Sequence, residues 1–151
     1  MLLKTHLAIS IFFILLFLPA VEDKIIFIIV TLVATYIPDI DSRYSKLGRK
    51  KVFRILQWMT KHRGMIHSYT FLLSLTLLLA LFIPILAFGF FLGYGLHLLA
   101  DSFTPEGIRP FYLYKKKSSG MIRTGGNIEI GILGSFIILD LIFLVLRIEI
   151  F

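Results

Sequence analysis

The chain has 151 residues, 58% hydrophobic and 17% charged, with a mean hydropathy of +0.90, whereas ordinary soluble domains run about 45–50% apolar and about 25% charged. The excess lies in long runs such as Leu7–Val21 and Phe71–Phe91, which a soluble domain of this size could not cover, so a water-soluble fold is excluded and lipid must be the solvent. The lack of cysteine excludes disulfides and thiolate metal sites, and the formal charge of +7 falls between apolar spans, where it reads as basic loops beside a membrane with no nucleic-acid partner expected.

The first predicted helix covers Thr5 to Ala20. A cleaved signal peptide is a poor reading of it, because Leu18-Pro19-Ala20 makes a weak cleavage site and a second apolar run follows closely. A retained helical hairpin is expected, turning at Pro19 and Glu22-Asp23-Lys24. The second helix runs from Asp23 to Ile37, where Pro38 stops the hydrogen-bond ladder. From Asp23 to Asp39 it would rise roughly 25 Å, short for a hydrocarbon core of about 30 Å. Asp39 and Asp41 are therefore expected at the edge of the lipid, not far out in water.

Ser42 to Gly64 is polar and basic. Within it Val52, Phe53, Leu56 and Met59 recur at helical spacing beside Lys50, Lys51, Arg54 and Lys61, which predicts an interfacial amphipathic helix with Trp58 at headgroup depth. A third spanning helix is predicted from Met65 to Ile83, a fourth from Ile85 to Asp101, and a fifth from Ile128 to Arg147 after a loop of Pro, Gly, Ser and Lys. The fold class is thus all-α: one domain over residues 1–151, an integral membrane bundle of about five transmembrane helices plus the amphipathic one. Fourteen Lys and Arg fall on one side of this topology and only Lys24 and Arg147 on the other. That bias predicts a multi-pass protein of the cytoplasmic membrane with its N-terminus and long loops in the cytoplasm.

On this topology all four histidines, His6, His62, His67 and His97, fall at or near cytoplasmic helix ends, with Asp39, Asp41 and Asp101 beside them. His97 and Asp101 are four apart, one above the other on one helix face, where both can bind one ion. Gly89 and Gly93 extend the same row and would let a neighbouring helix come close. A packing seam with a polar end would also explain this row. Pro38-Asp39-Ile40-Asp41 sets two carboxylates directly after a helix stop, equally suited to turn chemistry or to oxygen ligation. In His62-Arg63-Gly64-Met65-Ile66-His67-Ser68, His67 suits a neutral ligand near a helix N-terminus. Arg63 suits a phosphate fork, and Ser68 suits substrate contact or plain capping. Glu129 could ligate, act as a base or complement the helix dipole, and Glu106 is a further acidic neighbour.

Imidazoles and carboxylates without thiolate fit one or two divalent ions, zinc foremost, with manganese or iron compatible. The expected ligands are His6, Asp39, Asp41, His62, His67, His97 and Asp101, with Asp41, Arg63 and Ser68 serving catalysis. The expected activity is metal-dependent hydrolysis of a phosphoester or phosphodiester in a membrane lipid or lipid-linked substrate. A metal transporter or sensor is the first rival, and a non-catalytic scaffold acting through basic loops is the second.

His6, the Pro38-Asp39-Ile40-Asp41 turn, His62-Arg63-Gly64-x-x-His67-Ser68 and His97-x-x-x-Asp101 with Thr104-Pro105 together resemble the LexA-binding, inner-membrane-associated hydrolases, a family described as metal-dependent. The resemblance spans roughly His6 to Glu129. It implies a distant similarity to zinc-dependent phospholipase C and the S1/P1 nucleases, whose helical scaffold binds zinc through an early His, an Asp, a further His and a His-x-x-x-Asp pair. Carried over, these positions are His6, Asp39 or Asp41, His67 or His62, His97 and Asp101. The later His-x-x-x-Glu pair of the three-zinc enzymes is missing, so one or two ions are implied.

Overall fold

The computed structural model describes residues 1–41, 65–112, 114 and 116–148. The expected amphipathic helix with Trp58, together with His62 and Arg63, lies outside the described residues. Among those described, five helices appear in chain order: α1 (Leu3–Phe17), α2 (Lys24–Tyr36), α3 (Tyr69–Phe82), α4 (Pro84–Ser102) and α5 (Asn127–Ile148). The all-α membrane bundle expected from the sequence is what forms.

Among the described residues three segments are long and apolar enough to cross a membrane: Leu3–Ala20, Pro84–Ser102 and Asn127–Leu146. This is fewer than the five expected. At 13 and 14 residues, α2 and α3 each cover only about 20 Å as α-helix. The second helix ends within one residue of its expected bounds at each end, and α3 loses most at its start. After α2 the chain tightens into a 3-10 turn over Ile37–Asp41, so Pro38 narrows the helix before the chain leaves it. Ahead of α3, Met65–Ser68 form a turn that Ser68 converts into a cap, accepting from the Phe71 N–H at 3.2 Å and donating to the Met65 carbonyl at 2.5 Å. The helix therefore begins four residues later than Met65.

The centre of the bundle is α4. It packs most extensively on α2, then on α3, and touches α1, whereas α5 packs on α1 and is otherwise open. Half of the α4 span is buried within the protein, against 6% of the α5 span. Exposed Leu77, Leu81, Phe82, Ile138, Leu141 and Val145 are lipid-facing positions on helices that are apolar all round. The core against α4 is Leu72, Phe90, Tyr94, Leu98, Ala34 and Ile66.

Glycine makes the α2–α4 contact possible. A Cβ at Gly93 would collide with the Thr31 backbone, and one at Gly89 would stand 3.2 Å from the Phe27 carbonyl and the Thr31 hydroxyl. In lipid the hydrophobic effect does not drive helices together, so this close approach and the hydrogen bonds across it carry the association. Thr31, Thr35 and Ser10 fill the seam with fully buried hydroxyls; Thr35 donates to the Thr31 carbonyl at 2.8 Å, and the Ser10 and Thr35 hydroxyls are 2.8 Å apart.

Gly93→Ala is expected to lower the thermal unfolding midpoint in detergent, by an overpacking cost of about 1–3 kcal/mol. Gly131→Ala, where an added Cβ meets nothing within 4 Å, should be neutral or slightly stabilising. Circular dichroism melts of the two variants decide it, and equal shifts would refute the seam.

Candidate metal centre

Successive helices run in opposite senses, so the ends that carry polar residues meet at one end of the bundle. Imidazoles come from the N-terminal part of α1 (His6) and the turn before α3 (His67). Carboxylates come from the turn after α2 (Asp39) and the last turn of α4 (Asp101), and α4 adds His97. These five are brought together. His6 Nε2 is 3.3 Å from Asp101 Oδ1, His67 Nε2 is 4.0 Å from Asp101 Oδ2, and His97 Nε2 is 3.8 Å from both Asp39 Oδ1 and Asp101 Oδ2. The His6 and His97 rings stack at 4.0 Å and 8°, with His67 set edge-on to His97.

Nearly all of this chemistry is withdrawn from solvent. His6, His67, His97 and Asp101 are each at most 2% exposed. Asp39 is the open member: its side chain is 24% exposed against 3% for Asp101. Burial pushes the Asp39 carboxyl above its usual range; His6 opposes that rise and Asp101 adds to it.

His97 is the best-defined donor. Its Nδ1 lies 2.8 Å from the Thr35 carbonyl. A carbonyl can only accept, so Nδ1 carries the proton and Nε2 presents its lone pair. That Nε2 is buried and has no hydrogen-bond partner among the described residues, although two carboxylates lie within 4 Å of it. A lone pair facing carboxylate oxygens in a buried site is an arrangement of electron donors that a cation satisfies. Two overlapping triads have donor atoms close enough for an ion, His6–His97–Asp101 and Asp39–His67–His97. The Met1 α-ammonium also reaches Asp101 Oδ1, at 2.6 Å.

His67 is placed by its neighbours. The Tyr94 hydroxyl, on α4, donates to the Ile66 carbonyl at 2.6 Å, and the Tyr69 N–H bonds the Pro110 carbonyl at 2.8 Å. Beyond α4, Thr104 donates to the Asp101 carbonyl at 2.7 Å and accepts from the Gly107 N–H. The following loop folds back through an Ile108–Ser118 bridge.

Of the other residues singled out from the sequence, Asp41 closes its 3-10 turn and its side chain lies outside the described residues, as do His62 and Arg63. The Ser68 hydroxyl is engaged as the α3 cap. Glu129 is fully buried, yet neither triad contains it. Sequence reasoning missed the orienting role of Thr35 and the anchoring role of Tyr94. Thr31 and Thr35, four apart in an otherwise apolar helix, were the available signal for the first.

The chain belongs to the YdjM inner membrane protein family, whose model matches residues 1–147. No curated protein and no solved structure matches it. Membership fixes an inner membrane protein and names no chemistry.

The tautomer can be tested without metal. In metal-free protein carrying 15N-histidine, the His97 ring is expected to show a protonated Nδ1 and a bare Nε2. A ring with a bare Nδ1 and a protonated Nε2 would mean that the Thr35 carbonyl is not its acceptor.

Proposed function

We propose that this member of the YdjM inner membrane protein family is a membrane-bound, metal-dependent hydrolase of phosphoester or phosphodiester bonds, acting on a lipid or lipid-linked substrate at the cytoplasmic face. The observation that carries the proposal is the unpartnered, fully buried Nε2 of His97, held by Thr35 so that its lone pair points toward Asp39 and Asp101. Leaving such an atom unsatisfied costs about 1–3 kcal/mol, and a divalent ion removes the cost.

The donors fit zinc in kind: three imidazoles and two carboxylates, with no thiolate. The two triads share His97, and Asp101 turns Oδ1 toward His6 and Oδ2 toward His67 and His97. This disposition accommodates one ion or two. When bound, such an ion supplies Lewis-acid polarisation of a phosphoryl oxygen and a nucleophile at neutral pH. The protein's own residues do the rest. Asp101, His6, His67 and His97, all buried, hold position and exclude water. Asp39, at the open side, is the carboxylate able to orient a water or take its proton. Asp41 and Arg63 enter from the sequence alone, the first beside Asp39 and the second as the cation to steady developing negative charge.

The reading of a cytoplasmic site is supported by the sequence, in which fourteen Lys and Arg fall on one side of the expected topology and two on the other. A basic cytoplasmic side of this kind favours a phosphate-bearing lipid as substrate. Transport is the weaker alternative. Below His97 the described part of the seam holds the neutral hydroxyls of Ser10, Thr31 and Thr35, and Gly93 closes it against Thr31.

The deciding experiment is elemental analysis of detergent-purified protein, wild type beside His97→Ala, with hydrolysis of phospholipids and a generic phosphodiester measured on both. Wild type should carry stoichiometric zinc and hydrolyse one of these substrates, and His97→Ala should lose metal affinity by roughly 100-fold or more. Absence of stoichiometric metal from wild type sinks the proposal. Metal uptake into sealed vesicles that depends on His97, without hydrolysis, replaces it with transport.

A further inference from the structure

Glu129 has no part in either triad, yet it is completely buried in the first turn of α5, an unusual place for an acidic side chain unless it is paired. Both of its oxygens are occupied by backbone donors. Oε1 accepts from the Leu2 N–H at 2.5 Å, and Oε2 accepts from the Gly125 N–H at 2.6 Å. Leu2 is the residue that opens α1, a helix with no capping side chain and no acid in its first turn. Glu129 therefore supplies from another helix the acceptor and the negative charge that the start of α1 lacks. Because α1 and α5 begin at the same end of the bundle, one carboxylate serves two helix N-termini.

We infer that Glu129 is a positioning residue: by clamping the start of α1 to the first turn of α5, it sets where His6 meets the metal centre. The inference rests on the metal-centre reading above and assigns Glu129 no direct contact with metal or substrate.

Deeper in the bundle, α1 meets α5 through rings, Phe12 against Phe136 and Phe143. Lipid is as apolar as those rings, so such contacts discriminate poorly between registers, and a slip of one residue moves a helix by about 1.5 Å. The polar clamp at Leu2 does discriminate. His6 is one turn further on, its N–H bonded to the Leu2 carbonyl, so displacement of Leu2 carries His6 with it. Metal–ligand distances tolerate only about 0.2 Å. A loosened clamp should therefore reach the centre through His6, while Asp39, His67 and His97 keep their separate supports on α2 and α4.

The test is a double-mutant cycle on the full chain in detergent, titrating zinc against a chromophoric chelator for wild type, Glu129→Ala, His6→Ala and the double variant. Glu129→Ala should weaken zinc binding about ten- to 100-fold. In the His6→Ala background the same change should cost no more than about twofold. Glu129→Gln, which keeps one acceptor oxygen, should recover part of the affinity, and it carries the cycle if Glu129→Ala fails to fold. Cobalt-loaded Glu129→Ala should show the same change in visible spectrum as cobalt-loaded His6→Ala. Equal losses in both backgrounds would overturn the inference in favour of a general structural role, as would unchanged affinity in Glu129→Ala. A wild type that binds no zinc fails earlier and overturns the metal reading together with this inference.

Discussion

Because an added methyl at residue 93 would run into the Thr31 backbone, α2 and α4 approach closely enough for the Thr35 carbonyl to receive the His97 ring. That distance governs the rest of the site. The hydrogen bond fixes the proton on Nδ1, which fixes the lone pair on Nε2, which then faces Asp39 and Asp101. A wider helix pair would free the ring to turn, and the same residues would make ordinary polar contacts at a membrane surface. Gly89, Gly93, His97 and Asp101 lie at steps of four along one face, so a single row of α4 provides both the close approach and the ligands.

Lipid inverts the usual reasons for burial. Leucines and phenylalanines can face outward at no cost, as they do along α3 and α5, and the interior holds, beside its apolar core, the groups that lipid cannot satisfy. Hence Ser10, Thr31, Thr35, His6, His67, His97, Asp101 and Glu129 are all buried in a chain with few polar residues. Each hydrogen bond among them also locates one helix against another: Ser10 on α1 with Thr35 on α2, Thr35 with His97 on α4, Tyr94 on α4 with Ile66, and Glu129 on α5 with Leu2. The polar contacts that assemble the bundle and those that shape the site are therefore largely the same.

What could be read from the sequence follows from this. Apolar runs, prolines and the spacing of four in α4 are local signals, and they gave the bundle, the helix order and the His97–Asp101 row with its glycines. The convergence of His6, Asp39 and His67 was inferable because one topology put them at one end. Helix lengths were less legible: Pro38 tightened the chain into a 3-10 turn and did not release it, and Ser68 capped α3 later than the apolar pattern began. Least legible were Thr35, Tyr94 and Glu129, since their parts depend on axial register between helices, for which single residues in one chain carry no periodic mark. Glu129 looked like a dipole complement to its own helix; it also complements a second.

The helix termini supply a last argument about the charge of the centre. Anions are stabilised at helix N-termini and cations at C-termini. Asp101 stands in the last turn of α4 and Asp39 follows the last turn of α2, so both carboxylates occupy the ends that disfavour them. His6 and His67 stand near the starts of α1 and α3, where a protonated imidazole is disfavoured and a neutral one is not. By the local field alone, every one of these groups is at the wrong end for its charged form. Glu129, at the start of α5, follows the rule, and both of its oxygens are taken up by backbone N–H groups. A divalent cation beside Asp39, His97 and Asp101 would reverse the account: it would neutralise the two carboxylates, use the imidazoles in the neutral form their helices prefer, and lie against the negative ends of α2 and α4. His6, Asp39, His67 and Asp101, all proposed as ligands, thus share a departure from helix-end preference in their charged forms, which is the pattern expected of a site shaped around a positive ion.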